Sequence, residues 1–368
     1  MHLAHLRLRD FRNYRRLDLD FPPGFHLLIG DNAQGKSNLL EAIYLLATLR
    51  SFRGIPGAQM VRHDQPGYFV GARVIGREEH ALKLYWSTSK RQISLDDRNI
   101  RRISEFLGAL RAVVFCTEDL QLVKGAASRR RRFIDLLLSQ TDPTYLPLLQ
   151  RYTKTLRSRN ALLKQRSIDE SALDSFTHEL VTAGNQLMHH RTQLLPRLSP
   201  LARLAYRRIA LDQEELRLED HPSVRGDFAV ELTQSRHRER ALRQTVIGPH
   251  RDDVRLLLND RPAIQFGSEG QKRSIAIALK MAQVEYLTGI HGNPPILLID
   301  DVMGELDAKR RAAFLPLLQR AHQTRSQVFL TVTQNQDLIE GPGTVVRWNV
   351  NAGSVTSVRA RRSISGAF

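Results

Sequence analysis

The chain has 368 residues, enough for one large or two ordinary domains with a real core. Its 55 Lys+Arg against 38 Asp+Glu leave a formal +17, which favours a polyanionic partner because cations that neutralise phosphates release counterions, although plain solubility accounts for it equally well. A single cysteine, Cys116, excludes an intrachain disulfide and a cysteine-based zinc site; residues 1–14 hold no apolar h-region and no stretch nears the roughly 18 apolar residues of a membrane helix, so a soluble cytoplasmic protein with no membrane partner is expected.

Leu6 and Leu8, then Leu17, Leu19 and Phe21, alternate with polar residues and read as half-buried strands. The run Phe25-His26-Leu27-Leu28-Ile29 is short, apolar and ends at Gly30, as a buried strand entering a turn would. Residues 38–50 read as helix, and further strands are predicted at Leu82–Trp86, Ile93–Leu95 and Arg111–Cys116. From about Asp119 to Arg217 the spacing turns helical: Leu149, Tyr152, Leu156 and Leu163 mark one face, and Leu173, Phe176, Leu180 and Leu187 another. A connector near Ser167-Ile168-Asp169 makes these a helical hairpin, with a third helix over Leu198–Ile209. Strand patterns return at Val254–Leu258, Ile296–Ile299, Val328–Val332 and Val345–Val350. The chain thus reads as an α/β head split by a helical insert, in three parts: 1–118, 119–217 and 218–368.

Gly30-Asp31-Asn32-Ala33-Gln34-Gly35-Lys36-Ser37 matches the P-loop G-x-x-x-x-G-K-[ST] and lies between a predicted strand and a predicted helix, which is its required context. The glycines let backbone N–H groups close around phosphates, Lys36 reaches the β- and γ-phosphates, and the Ser37 hydroxyl ligates Mg²⁺. Ile296-Leu297-Leu298-Ile299-Asp300-Asp301 has the form of a Walker B strand, with Asp300 on the Mg²⁺ side and Asp301 as the residue that orients the attacking water. ATP and Mg²⁺ are therefore the expected cofactors.

Ser268-Glu269-Gly270-Gln271 lies upstream of that strand and opens a helical run over Ser274–Tyr286. It resembles the ABC signature S-x-G-Q, in which Ser268, Gly270 and Gln271 would meet the γ-phosphate held by a second copy; on its own it also fits an ordinary capped helix. Gly304-Glu305-Leu306-Asp307 resembles the D-loop, led by Asp307. Together these predict a P-loop ABC-type ATPase head with an arm-like helical insert, and ATP-driven pairing of two copies. Two departures from the ABC pattern point to slow hydrolysis: Asp301 stands where most such heads carry Glu, and Thr331, Thr333 and Gln334 stand where many carry a switch histidine.

Several strings together resemble the RecF family over nearly the whole chain. They are Phe11-Arg12-Asn13-Tyr14; Glu118-Asp119-Leu120 through Arg130-Arg131-Arg132-Phe133-Ile134-Asp135; Gly248-Pro249-His250-Arg251-Asp252-Asp253; and Asp300 to Asp307. Thr117 and Ala127 stand where that family usually has Pro, and Gly304 where it has Ser or Ala. The resemblance implies a weak, DNA-stimulated ATPase that binds gapped, single-stranded or junction DNA as a homodimer. It further implies work with mediator proteins to load the RecA recombinase in replication repair and the SOS response.

No Asp or Glu occurs between Pro143 and Ile168, whereas Arg151, Lys154, Arg157 and Arg159 all do, preceded by Arg130 and Arg131. These six are the candidate DNA contacts, binding backbone without reading sequence; a solvated helix face is the alternative. An ABC transporter ATPase or an SMC-like machine is the rival reading. The short insert without sustained heptads counts against a long coiled coil.

Overall fold

The computed structural model describes residues 1–210, 214–302, 312, 326–333 and 345–358. The chain divides into two compact units: Met1–Arg102, Phe106–Glu118 and Leu287–Phe368 form the first, and Ile103–Glu105 with Asp119–Tyr286 the second.

Among the described residues, the first unit holds two sheets. One is antiparallel, in the order β2 (Tyr14–Asp20), β1 (His2–Phe11), β4 (Gly67–Ile75), β5 (Glu79–Ser87), β6 (Arg91–Leu95), β7 (Arg98–Asn99). Its alternation is the expected one: Leu6 and Leu8 are fully buried while Arg7 and Arg9 between and beyond them are exposed. The other sheet runs β15 (Ser354–Val358), β14 (Val345–Asn351), β3 (Phe25–Ile29), β13 (Val328–Val332), β12 (Ile296–Ile299), β8 (Ala112–Phe115). All neighbours there are parallel except β15, which returns antiparallel along β14. Strands in a parallel sheet are covered on both faces, which is why β12 (ILLI) and β8 (AVVF) are apolar throughout and buried throughout. Helix α1 (Lys36–Thr48) follows β3 and is buried along almost its whole length. It closes on Leu49, whose left-handed backbone (φ 56°) lets its N–H bond the Leu45 carbonyl.

The short helix α2 (Ile103–Phe106) lies where the chain passes from one unit to the other, and the rest of the second unit is mainly helical. It contains α3 (Gln121–Lys124), α4 (Ala127–Thr141), α5 (Tyr145–Leu163), α6 (Glu170–Ile209), α7 (Phe228–Gln234), α8 (Arg236–Leu242), α9 (Ala263–Phe266) and most of α10 (Glu269–His291). Helices α5 and α6 form the predicted hairpin, and Asp169 caps α6 by accepting the Ala172 N–H at 3.0 Å. The separate third helix predicted over Leu198–Ile209 is instead the continuation of α6, which runs 40 residues through Pro196 and Pro200. A proline inside a helix costs about 3 kcal/mol; burial of Leu194, Leu195, Leu198, Ala202, Tyr206 and Ile209 at unbroken helical spacing holds the element together.

The boundary expected at 217 also moves. Strand β9 (Leu216–His221) pairs antiparallel with β10 (Asp253–Leu258), which pairs with β11 (Arg261–Pro262). Among the described residues, nothing between 218 and 286 joins the parallel sheet, so this stretch falls in the second unit with the helical hairpin.

Candidate nucleotide site

Strands β3 and β12 are parallel and separated only by β13, so the loops leaving their carboxyl ends open on one edge of the sheet. That edge is where open α/β sheets bind ligands. Gly30 to Lys36 leave β3 there, and Asp300 and Asp301 leave β12 beside them. The loop is shaped by two left-handed residues, Ala33 (φ 65°) and Gly35 (φ 119°), and Gly35 forms the N-cap of α1. Gly30 allows a close approach: a Cβ there would lie 2.2 Å from the Val350 carbonyl oxygen.

Lys36 is buried, and its Nζ donates to the carbonyls of Gly30 at 2.7 Å and Asp31 at 2.8 Å. The ammonium is thus folded over its own loop. Burial holds its pKa below the usual lysine value, against the opposing pull of Asp301, Asp300 and Asp31.

The Ser37 hydroxyl donates to Asp300 Oδ1 at 2.7 Å, joining the P-loop to the Walker B strand. Burial pushes Asp300 above the usual carboxylate range, while the hydrogen bond from Ser37, the charge of Arg53 and a hydrogen bond from Thr331 pull it back. A hydroxyl and a carboxylate in contact are hard oxygen donors that suit Mg²⁺, which takes few protein ligands and leaves the rest of its octahedron to phosphate and water. Asp301 is exposed, with a left-handed backbone (φ 56°), and its N–H donates to Thr331 Oγ1 at 2.9 Å. The buried Thr331 hydroxyl also donates to Asp300 Oδ1 at 3.3 Å, so a residue that stands out in the sequence only as a missing histidine ties the Asp300 carboxylate to the Asp301 backbone.

A supporting shell surrounds the loop, and no motif pointed to its role. Asn13 Nδ2 donates to the Gln34 carbonyl at 2.9 Å, and the buried Tyr14 hydroxyl donates to the Gly35 carbonyl at 3.0 Å. Arg12 forms a bidentate pair with Glu41 of α1, at 2.8 and 2.9 Å, and Glu41 is fully buried. Arg53 donates to Asn38 Oδ1, and Asn38 donates to Asn13. The string Phe11-Arg12-Asn13-Tyr14 is therefore a brace for the P-loop; its only advance signal was recurrence in a family pattern.

The remaining candidates lie in the other unit or outside the described residues. Ser268 and Gln271 make a reciprocal capping box at the start of α10: Ser268 N–H donates to Gln271 Oε1 at 2.6 Å, and Gln271 N–H to Ser268 Oγ at 3.2 Å. Gln271 Nε2 also donates to Glu214 at 2.6 Å, and the Gly270 carbonyl accepts from Ser274. Asp307 lies outside the described residues.

The six candidate DNA contacts separate. Arg159 is a correction: it is fully buried, gripping the equally buried Glu239 at 2.6 and 3.0 Å and donating to Thr245 and Thr177. A guanidinium desolvated and fully paired in this way cannot reach a phosphate. Arg130 pairs bidentately with Asp253 at 2.7 and 2.8 Å, Arg131 donates to the Asp252 carbonyl, and Arg151 is paired with Glu179. Lys154 and Arg157 are exposed.

The model of the RecF/RecN/SMC N-terminal domain matches residues 2–356. A DNA replication and repair protein RecF from Symbiobacterium thermophilum is 40% identical, with 96% of this chain and 98% of that one aligned. The chain belongs to the RecF family. A RecF from Streptococcus uberis is 36% identical over 96% of this chain and 99% of its own. The solved structure of a recombination mediator protein RecF with ATP, of the RecFOR pathway, superposes with a TM-score of 0.89 at 31% identity, covering 97% of each chain. An Smc head from Pyrococcus furiosus reaches a TM-score of 0.55 at 15% identity, over 97% of this chain and 96% of that one, and shares the fold. The ABC-type head with a helical insert, read from motif order, is thus the fold of this RecF-family chain.

Proposed function

We propose that this chain is an ATP-switched DNA-binding protein of recombinational repair and replication. The observation that carries the reading is the junction of Lys36, Ser37 and Asp300 at one edge of the parallel sheet, within a family whose solved member holds ATP. On ATP binding, Lys36 would exchange its two loop carbonyls for β- and γ-phosphate oxygens, and the loop N–H groups would take the rest. Mg²⁺, when held by Ser37 and Asp300, would neutralise charge on the phosphates. Asp301 would orient the attacking water, and an Asp one methylene shorter than Glu fits slow, DNA-stimulated hydrolysis used as a timer.

Ser268, Gly270 and Gln271 would meet the nucleotide of a second copy, with Asp307 beside them, so ATP would drive a homodimer. Ser268 and Gln271 already spend their side chains on the cap, and Ser268 takes the Gln271 N–H, which leaves the Glu269 and Gly270 N–H groups of α10 as anion donors. DNA would be gripped through phosphates at gaps or junctions, with Lys154 and Arg157 the contacts kept from the basic run. Mediator proteins, loading of RecA, the SOS response and a cytoplasmic location follow from the same reading.

Sizing the protein with and without ATP and gapped duplex DNA tests it, with Lys36→Ala as the control. ATP should raise the mass to that of a dimer in the parent and leave the variant monomeric. Equal nucleotide affinity and dimer content in both would remove the P-loop from the reading.

A further inference from the structure

Strands β14 and β15 are joined by a two-residue turn, Ala352-Gly353, between the paired Asn351 and Ser354. Both turn residues are left-handed, with φ 46° and 77°, which is the geometry of a tight type I′ hairpin. Such a turn leaves its two central N–H groups outside the ladder. Here both go to one residue of the P-loop: Ala352 N–H donates to Gln34 Oε1 at 2.7 Å, and Gly353 N–H to the Gln34 carbonyl at 3.0 Å. Asn13 Nδ2 donates to that same carbonyl from a second direction. The fit is close, since a Cβ on Gly353 would lie 2.5 Å from the Asn13 carbonyl oxygen.

A trans peptide is planar, and its N–H points opposite to its C=O. Tying the Gln34 carbonyl to Gly353 and Asn13 therefore aims the Gly35 N–H the other way. Tying the Gly35 carbonyl to the Tyr14 hydroxyl does the same for the Lys36 N–H. These are among the N–H groups at the start of a helix that have no partner within it. We infer that the Ala352-Gly353 turn is a positioning clamp for the P-loop: by holding Gln34 from outside, it presets the backbone donors that receive the nucleotide's phosphates. This rests on the ATP-binding reading above.

The ligand class follows from the geometry. Loop N–H groups cradle the α- and β-phosphates, whereas Lys36 reaches the β- and γ-phosphates. Loosening the clamp should therefore weaken ADP and ATP by the same factor. Damage centred on Lys36 would instead fall more heavily on ATP.

The test measures affinity of the full chain for fluorescent ATP and ADP analogues with Mg²⁺, alongside thermal melting. Gly353→Val puts a β-branched side chain at φ 77° and against the Asn13 carbonyl, lifting the turn; both nucleotides should bind about tenfold more weakly, as expected when two neutral hydrogen bonds are removed. Gln34→Met keeps the length, leaves the hairpin intact and removes the Ala352 bond together with the long 3.5 Å contact from Nε2 to the Asn32 carbonyl, so a weakening of about threefold is expected. Ala352→Gly keeps the N–H and relieves the left-handed strain, so it should bind both nucleotides like the parent. Should Gly353→Val not fold, Gln34→Met against Ala352→Gly decides alone. A folded Gln34→Met that binds both nucleotides like the parent would overturn the clamp while leaving the ATP-binding reading intact. A parent that binds neither nucleotide would overturn both.

Discussion

Arg159→Met should cost the second unit several kilocalories of stability while leaving DNA affinity per folded molecule unchanged. The pair it breaks is fully buried on both sides, with Nη2–Oε2 at 2.6 Å and Nη1–Oε1 at 3.0 Å. Met fills comparable volume but strands the Glu239 carboxylate in the interior, and the Thr245 and Thr177 hydroxyls are left without their donor. Removing one partner of a buried ion pair costs about 3–5 kcal/mol, which for a unit of this size lowers its melting transition by roughly 10 °C. Guanidinium titration followed by circular dichroism measures the change. A double-mutant cycle with Glu239→Met completes it, because replacing both charges by apolar residues should recover most of the stability. The contrasting variant is Lys154→Gln with Arg157→Gln, two exposed cations whose removal should leave melting alone. If they touch duplex phosphates, the slope of log affinity against log salt becomes shallower by about 0.9 for each phosphate no longer neutralised. Arg159→Met with parent stability and a shallower salt slope would refute the assignment of Arg159 to the interior network.

Asp301→Asn should keep ATP affinity and stop turnover, trapping the dimer; steady-state phosphate release at the parent rate would exclude Asp301 as the water-orienting group. Ser268→Arg should act in trans, abolishing dimerisation at high protein concentration while each monomer still binds ATP at low concentration, at a cost of about 1 kcal/mol for removing the cap. Equal loss of both activities would mean that this helix start completes no partner's site. His26 predicts a pH dependence. Burial lowers its pKa to about 4, with the Trp348 indole N–H donating to Nδ1 at 3.0 Å and Nε2 lying 2.9 Å from the Pro22 carbonyl. The unfolded chain takes up the proton near the ordinary histidine value of about 6.5, so this contribution is complete above that pH and is lost as pH falls towards 4. His26→Gln should flatten the fall in stability over that window, measured by urea titration at several pH values. An unchanged slope would show that His26 does not carry it.

What could be read in the sequence was whatever a local backbone rule dictates. A P-loop needs Gly30 and Gly35 at fixed offsets, a Walker B strand needs four apolar residues ending in acid, and the order of these parts along the chain specifies the fold. What could not be read were pairings decided by tertiary contact. Arg151 and Arg159 look alike at helical spacing, and Glu179 and Glu239, which claim them, lie on other elements. The basic run therefore looked like one charged face, although part of it is interior. The same limit explains the domain boundary. Leu216–His221 has weak strand character by itself and is fixed as β9 by its register with Asp253–Leu258, so a boundary drawn where helical spacing stops at 217 cut through a sheet. The P-loop brace shows the principle at the site itself. The motif names the residues expected to meet the nucleotide, but the groups that hold the motif in shape come from both ends of the sequence: the Asn13 amide and Tyr14 hydroxyl reach loop carbonyls from side chains, and Ala352 and Gly353 reach Gln34 through backbone N–H groups. Such contacts end on the loop's backbone or on one side-chain oxygen, so nothing in the loop's own residue types announces the distant segments that brace it.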